Sequence, residues 1–114
     1  MADVSMMDML QGYLKVTTDR QQVIASNVAN VDTPGYHTRD INFRQALQNV
    51  MNPGGEPQLE TASLELQGLP ERPDGNNVNI DRESMMLSET QLQYQMGVEL
   101  IKDQFSTLLI AIKE

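Results

Sequence analysis

The chain has 114 residues, enough for one domain, with 8 Lys and Arg against 16 Asp and Glu and a formal net charge of -8. An acidic balance of this size lacks the basic footprint of a nucleic-acid binder. With no Cys and one His, disulfides, thiolate metal sites, a Cys nucleophile and any site needing two His from one chain are excluded. Aromatic residues make up 4%, so aliphatic side chains and the eight Met must fill the core.

The first residues carry Asp3 and Asp8 but no early Lys or Arg, and no apolar run long enough for a signal peptide. No stretch approaches the ~20 apolar residues of a membrane span. Any route out of the cytoplasm is therefore expected to dispense with a cleaved signal, and the chain is not expected to span a membrane.

An apolar stripe then runs through Met7, Leu10, Leu14, Thr17, Gln21, Ile24, Val28 and Val31 in alternating steps of three and four, which lie on one helical face. It predicts an N-terminal helical assembly domain over 1–31. Pro34-Gly35 suits the centre of a type II turn, since Pro fixes φ and Gly accepts a positive one. Asn27, Asn30 and Asp32 are suited to satisfy backbone groups where the helix ends. Phe43 to Leu47 reads as a short helix with Phe43, Leu47 and Val50 on one side. Tyr36 and Phe43 are candidates to anchor the 32–50 loop on the helices.

Residues 51–79 hold Pro53, Pro57, Pro70 and Pro73, with Gly54, Gly55, Gly68 and Gly75, and five carboxylates against Arg72 alone. Such a stretch cannot sustain a helix. It reads as an acidic linker, mobile unless something docks on it, with a brief strand signal at Leu64 to Leu66.

The last segment, 80–114, predicts a long helix. Its stripe is Ile80, Ser84, Leu87, Gln91, Tyr94, Val98, Ile101, Phe105, Leu108 and Ile112, broadened by Leu92, Met96, Leu100 and Leu109. Asn79 is a good N-cap, and Asp81 and Glu83 put negative charge in the first turn. The strict heptads argue for a left-handed coiled-coil arrangement. The expected fold is mainly α: two long terminal helices forming a coiled-coil hairpin, joined by a turn-rich loop and an irregular central segment. Two paired helices leave a broad apolar face open, and such faces serve association. The candidate assembly interface is Leu10, Leu14, Ile24, Val28, Leu87, Tyr94, Val98, Ile101, Phe105, Leu108 and Ile112.

Nothing points to catalysis, a cofactor or a metal. His37 is a loop residue near Asp32 and Asp40 without a nucleophile beside it. The carboxylates of the last helix fall mostly on solvated faces. No Gly-rich phosphate loop is present.

Ser26-Asn27-Val28-Ala29-Asn30 followed by Thr33-Pro34-Gly35-Tyr36 resembles the N-terminal signature of the bacterial flagellar axial proteins, the rod, hook and hook-associated family. Arg39-Asp40-Ile41-Asn42-Phe43 is similar to the version in the short proximal-rod members. Gly75 to Glu83, Gln91 to Gln95 and Phe105 to Leu108 resemble the family's last helix and its approach. The likeness covers roughly residues 5–50 and 75–113. It makes Asn27, Asn30, Thr33, Pro34, Gly35 and Tyr36 the motif loop. It also implies a structural subunit of the basal-body rod, exported unfolded by the flagellar type III apparatus. Self-association, other rod proteins, a FliE-like adaptor and the MS ring are the implied contacts, and the periplasmic rod the implied location. The competing reading is a cytoplasmic coiled-coil adaptor or chaperone-like hairpin forming a discrete dimer.

Overall fold

The computed structural model describes residues 6–51 and 63–113. The expected start of the first helical domain before residue 6, the 52–62 part of the acidic linker and Glu114 lie outside the described residues. Five elements follow in order: α1 (Met6–Ala29), β1 (Arg39–Ile41), α2 (Phe43–Met51), β2 (Ser63–Glu65) and α3 (Ile80–Lys113).

Local chemistry sets each boundary. α1 ends two residues before Val31, where the Asn30 amide turns back to donate to Ser26 O at 2.8 Å. The Thr33 to Tyr36 turn is closed by Tyr36 N–H donating to Thr33 O at 3.2 Å, and Gly35 has φ 76°, the value a type II turn requires there. Asn42 caps α2 by accepting from Gln45 N at 3.1 Å, and Asn79 caps α3 by accepting from Arg82 N at 3.1 Å.

β1 and β2 pair antiparallel, with Arg39 opposite Glu65 and Ile41 opposite Ser63. The strand signal at Leu64 to Leu66 is realised one residue earlier. Residues 63–79 are not a free connection: what docks on them is the chain itself. The Pro and Gly residues that forbid helix leave backbone groups unpaired, and these bond to β1 and to the loop after α1. Val16, Ile41 and Ala46 form a small buried cluster, flanked by Val23, Phe43, Leu47 and Val50. This is the side of α2 expected to face inward. Phe43 meets Tyr13 edge-on at 5.9 Å between ring centroids. Burial raises the Tyr13 phenol above its ordinary pKa.

α1 and α3 pack as an antiparallel hairpin: Gly97 in mid-α3 lies against Tyr13 and Leu14, while the start of α3 lies beside the exit of α1. The buried positions recur at heptad spacing on both helices, Leu10, Thr17 and Ile24 on α1 and Glu83, Thr90 and Gly97 on α3. The heptad period matches the expectation, but its phase on α3 does not. The expected stripe through Ser84, Gln91 and Val98 lies one residue beyond the packed seam.

The reason is steric. A Cβ on Gly97 would stand 2.7 Å from Leu14 Cδ2 and 3.1 Å from Tyr13 Cδ2, so the helices approach as closely as they do because nothing projects there. Thr17 and Thr90 also fit the narrow seam, their hydroxyls turned back on their own helices to Leu14 O at 2.8 Å and Met86 O at 2.7 Å. On α3 the larger Leu92, Met96 and Leu100 are turned away, while on α1 Leu10 and Ile24 are buried. Extending the Gly97–Leu14 register outward puts Met6 opposite Gln104 and Phe105. The last two turns of α3 therefore run past the described part of α1.

Gly97→Val should force the hairpin apart and cost about 1–3 kcal/mol. Thermal unfolding followed by far-UV circular dichroism should show a lowered midpoint, whereas Val at the exposed Gln95 should leave it in place.

Candidate assembly interface

Asn27 sits at the end of α1 with no exposed surface. Its amide donates to Arg39 O at 2.8 Å, and its Oδ1 accepts from Arg39 N at 3.1 Å and from the Tyr36 hydroxyl at 2.9 Å. The sequence reading gave Asn27 the helix end. Instead its side chain reaches across the turn and fixes the start of β1. Asn30 does serve the helix end and also accepts from the Thr33 hydroxyl at 3.0 Å. Thr33, Pro34 and Gly35 form the exposed tip, and Tyr36 is half-buried.

Opposite this loop stands a second row of side chains that sequence reasoning did not place. Asn76 donates to Asn30 O at 2.9 Å and Thr33 O at 2.8 Å. Asn77 Oδ1 accepts from Thr38 N at 2.6 Å. The Arg72 guanidinium donates to Val31 O and, at 3.1 Å, to Val78 O. Gly35 N–H donates to Asp74 O at 2.9 Å. The loop after α1 and the approach to α3 are thus stitched together across some 40 residues of sequence.

Ionic contacts set the next layer. Arg20 grips Asp40 through two bonds of 3.1 Å and lies 5.9 Å from the Phe43 ring centroid. Arg82 bridges toward Asp40 at 3.9 Å and donates to Glu83 Oε1 at 3.0 Å. Glu83 is fully buried, and its Oε2 has no hydrogen-bond partner among the described residues. His37 lies 3.0 Å from Glu71 and 3.8 Å from Glu65, an ion-pair geometry when it is protonated.

The expected interface residues divide into three groups. Leu10 and Ile24 are buried, and Leu14, Leu87, Val98 and Ile101 are half-buried. Val28, Tyr94, Phe105, Leu108 and Ile112 are exposed, Phe105 by 57% and Ile112 by 78%. At about 100° per residue, Leu87, Tyr94, Val98, Phe105 and Ile112 form one apolar strip along the flank of the packed seam. Met85, Leu92, Met96, Leu100 and Ile110, all at least half exposed, form a second strip on the other side. A helix apolar on several faces is one that is buried on several faces in its working state.

Asn27→Ala leaves three polar groups without their partner and should cost about 2–3 kcal/mol, while Tyr36→Phe removes one bond and should cost about 1 kcal/mol. Melting midpoints of the two variants should fall in that order below the unsubstituted chain.

Comparison with known proteins agrees with this geometry. A family model described as "Flagella basal body rod protein" matches residues 14–37, from mid-α1 through the Pro-Gly turn. The protein named "Flagellar basal body rod protein FlgB" of Escherichia coli K12 is 34% identical over 119 residues, covering 87% of this chain and 86% of its own. The protein of the same name in Aeromonas hydrophila is 34% identical over 117 residues, covering 90% and 89%. That of Salmonella typhimurium is 33% identical over 119 residues. The chain belongs to the FlgB family of flagellar basal body rod proteins and is a structural subunit of the rod.

Proposed function

We propose that this chain builds the proximal part of the rod, near the MS ring, and that its two terminal helices are the assembly domains. In this reading α1 and α3 meet through the narrow seam, and neighbouring subunits cover the two apolar strips of α3. The observation that carries the proposal is the placement of large apolar side chains on both sides of a seam made of Gly97, Thr90 and Glu83. A helix built for a solitary hairpin would turn those residues inward.

Subunits packed on several sides carry torque through contact alone, because close-packed interfaces resist shear. The chain needs no chemistry of its own for this, only rigid faces in fixed relation. Contacts with other rod proteins follow from membership in the family. A FliE-like adaptor and the MS ring as the basal neighbours belong to the proposal. So does export through the flagellar type III apparatus without a cleaved signal to the periplasmic rod. Among the described residues no helix is long and apolar enough to cross a membrane. The discrete cytoplasmic adaptor has no observation in its favour over the rod subunit.

Phe105 and Met96 mark the two strips, and both are exposed in the single chain. Phe105→Asp and Met96→Asp should therefore leave the helicity of the purified chain unchanged. In cells each should abolish swimming and incorporation into basal bodies, since assembly would bury an unpaired charge. Normal swimming in both would refute burial of the strips.

A further inference from the structure

The family model ends at His37, yet the loop it covers is only half of a two-part arrangement. The other half is Asn76-Asn77, forty or more residues further on. Asn76 has no exposed surface. Its side-chain nitrogen reaches both Asn30 O and Thr33 O, carbonyls on the two sides of the bend after α1. Its side-chain oxygen accepts from Val78 N at 2.8 Å. The next residue but one after Asn77, Asn79, caps α3. From the bend after α1 the hydrogen bonds of Asn76 run to Val78, whose chain neighbour Asn79 caps the first turn of α3.

This path ties the start of α3 to the bend. A slip of one residue at the start of a helix rotates every later side chain by about 100°. Such a slip would carry Gly97 and Thr90 out of the seam and swing an apolar strip into it. The close approach at Gly97 admits no larger side chain, so such a slip would also part the two helices.

We propose that Asn76 is a positioning residue for rod assembly. By donating its amide to Asn30 O and Thr33 O it sets the rotation at which α3 leaves the bend, and so decides which strips of α3 face neighbouring subunits. The inference rests on the assembly reading above. It also makes an asymmetric demand on two adjacent residues. At Asn76 the essential atom is the nitrogen, because two carbonyls need a donor. At Asn77 it is the oxygen, which accepts from Thr38 N. Asp preserves the second and not the first, and it sets a negative charge against the two carbonyls at position 76.

The test replaces the gene in a motile host with alleles carrying Asn76→Asp or Asn77→Asp. Each is read by swimming in soft agar, by subunit amount on immunoblots and by helix phase. The absence of Cys allows phase to be read directly. Gln21→Cys is paired with Thr90→Cys, which the Gly97–Leu14 register sets opposite it on the seam, or with Gln91→Cys just off it, and intrachain disulfide is scored after oxidation. In the parent background the 21–90 pair should form at least threefold more than the 21–91 pair. Asn77→Asp should keep that preference and swim normally. Asn76→Asp should be present at the parent level, lose the preference and reduce the swimming halo at least fivefold.

The proposal is overturned if Asn76→Asp swims and keeps the preference. It is equally overturned if Asn77→Asp fails to the same degree, which would make added charge the cause. Clearance of the Asn76→Asp chain with Asn77→Asp retained would also overturn it, reducing Asn76 to a stability role. Failure of the unsubstituted gene to restore swimming to a deletion strain would strike the rod reading instead, which separates the two.

Discussion

The rest of the molecule depends on how closely α1 and α3 approach. With Gly97 against Tyr13 and Leu14, the α3 side of the seam has no room there for a larger side chain, while Leu10 and Ile24 fill the α1 side. Thr17 and Thr90 enter it because their hydroxyls fold back onto their own backbones. Glu83 enters it at a cost, one of its oxygens buried without a partner among the described residues and the other held by Arg82. With Gly97, Thr90 and Glu83 on the α3 side of the seam, Leu92, Met96 and Leu100 face outward.

A seam this poor in apolar area needs its register imposed from elsewhere, and the middle of the chain does so. Val16 and the α2 residues Phe43, Ala46 and Leu47 brace one side of α1. The same close approach occurs there, where a Cβ on Gly12 would run into Val50. Arg20 and Asp40 tie α1 to β1, and Asn27, Asn76 and Asn77 close the junction between helices. The bend after α1 and the approach to α3 are joined directly, so the chain between β1 and Arg72 is a side excursion from the hairpin.

What was legible beforehand followed from local rules. Heptad spacing and the Asn79 cap marked α3, and Pro34-Gly35 marked the turn, because both signals lie within a few residues of their effect. The phase of the α3 seam was not legible. An apolar count favours Tyr94 and Phe105 over Thr90 and Gly97, and only the geometry of approach reverses that order. β1 escaped notice because three residues carry almost no periodicity. Asn76 and Asn77 were visible as part of a motif. Nothing local connects them to Asn30 and Thr38, which lie about forty residues away.

The exposed strips also bear on why such a subunit would wait for company. Fully burying a large aliphatic side chain is worth about 1.5–3 kcal/mol. The five residues of the second strip are already partly covered by their own helix, so a neighbour gains on the order of 1 kcal/mol from each. One strip then offers roughly 5 kcal/mol, against an association cost of about 4–15 kcal/mol. Over most of that range a single pairwise contact falls short of stable binding. A position flanked by neighbours on both strips doubles the gain, while the loss of translational freedom is incurred once. Two half-strength faces on opposite sides of a narrow seam therefore favour addition at a site where both neighbours are already present over pairing in solution.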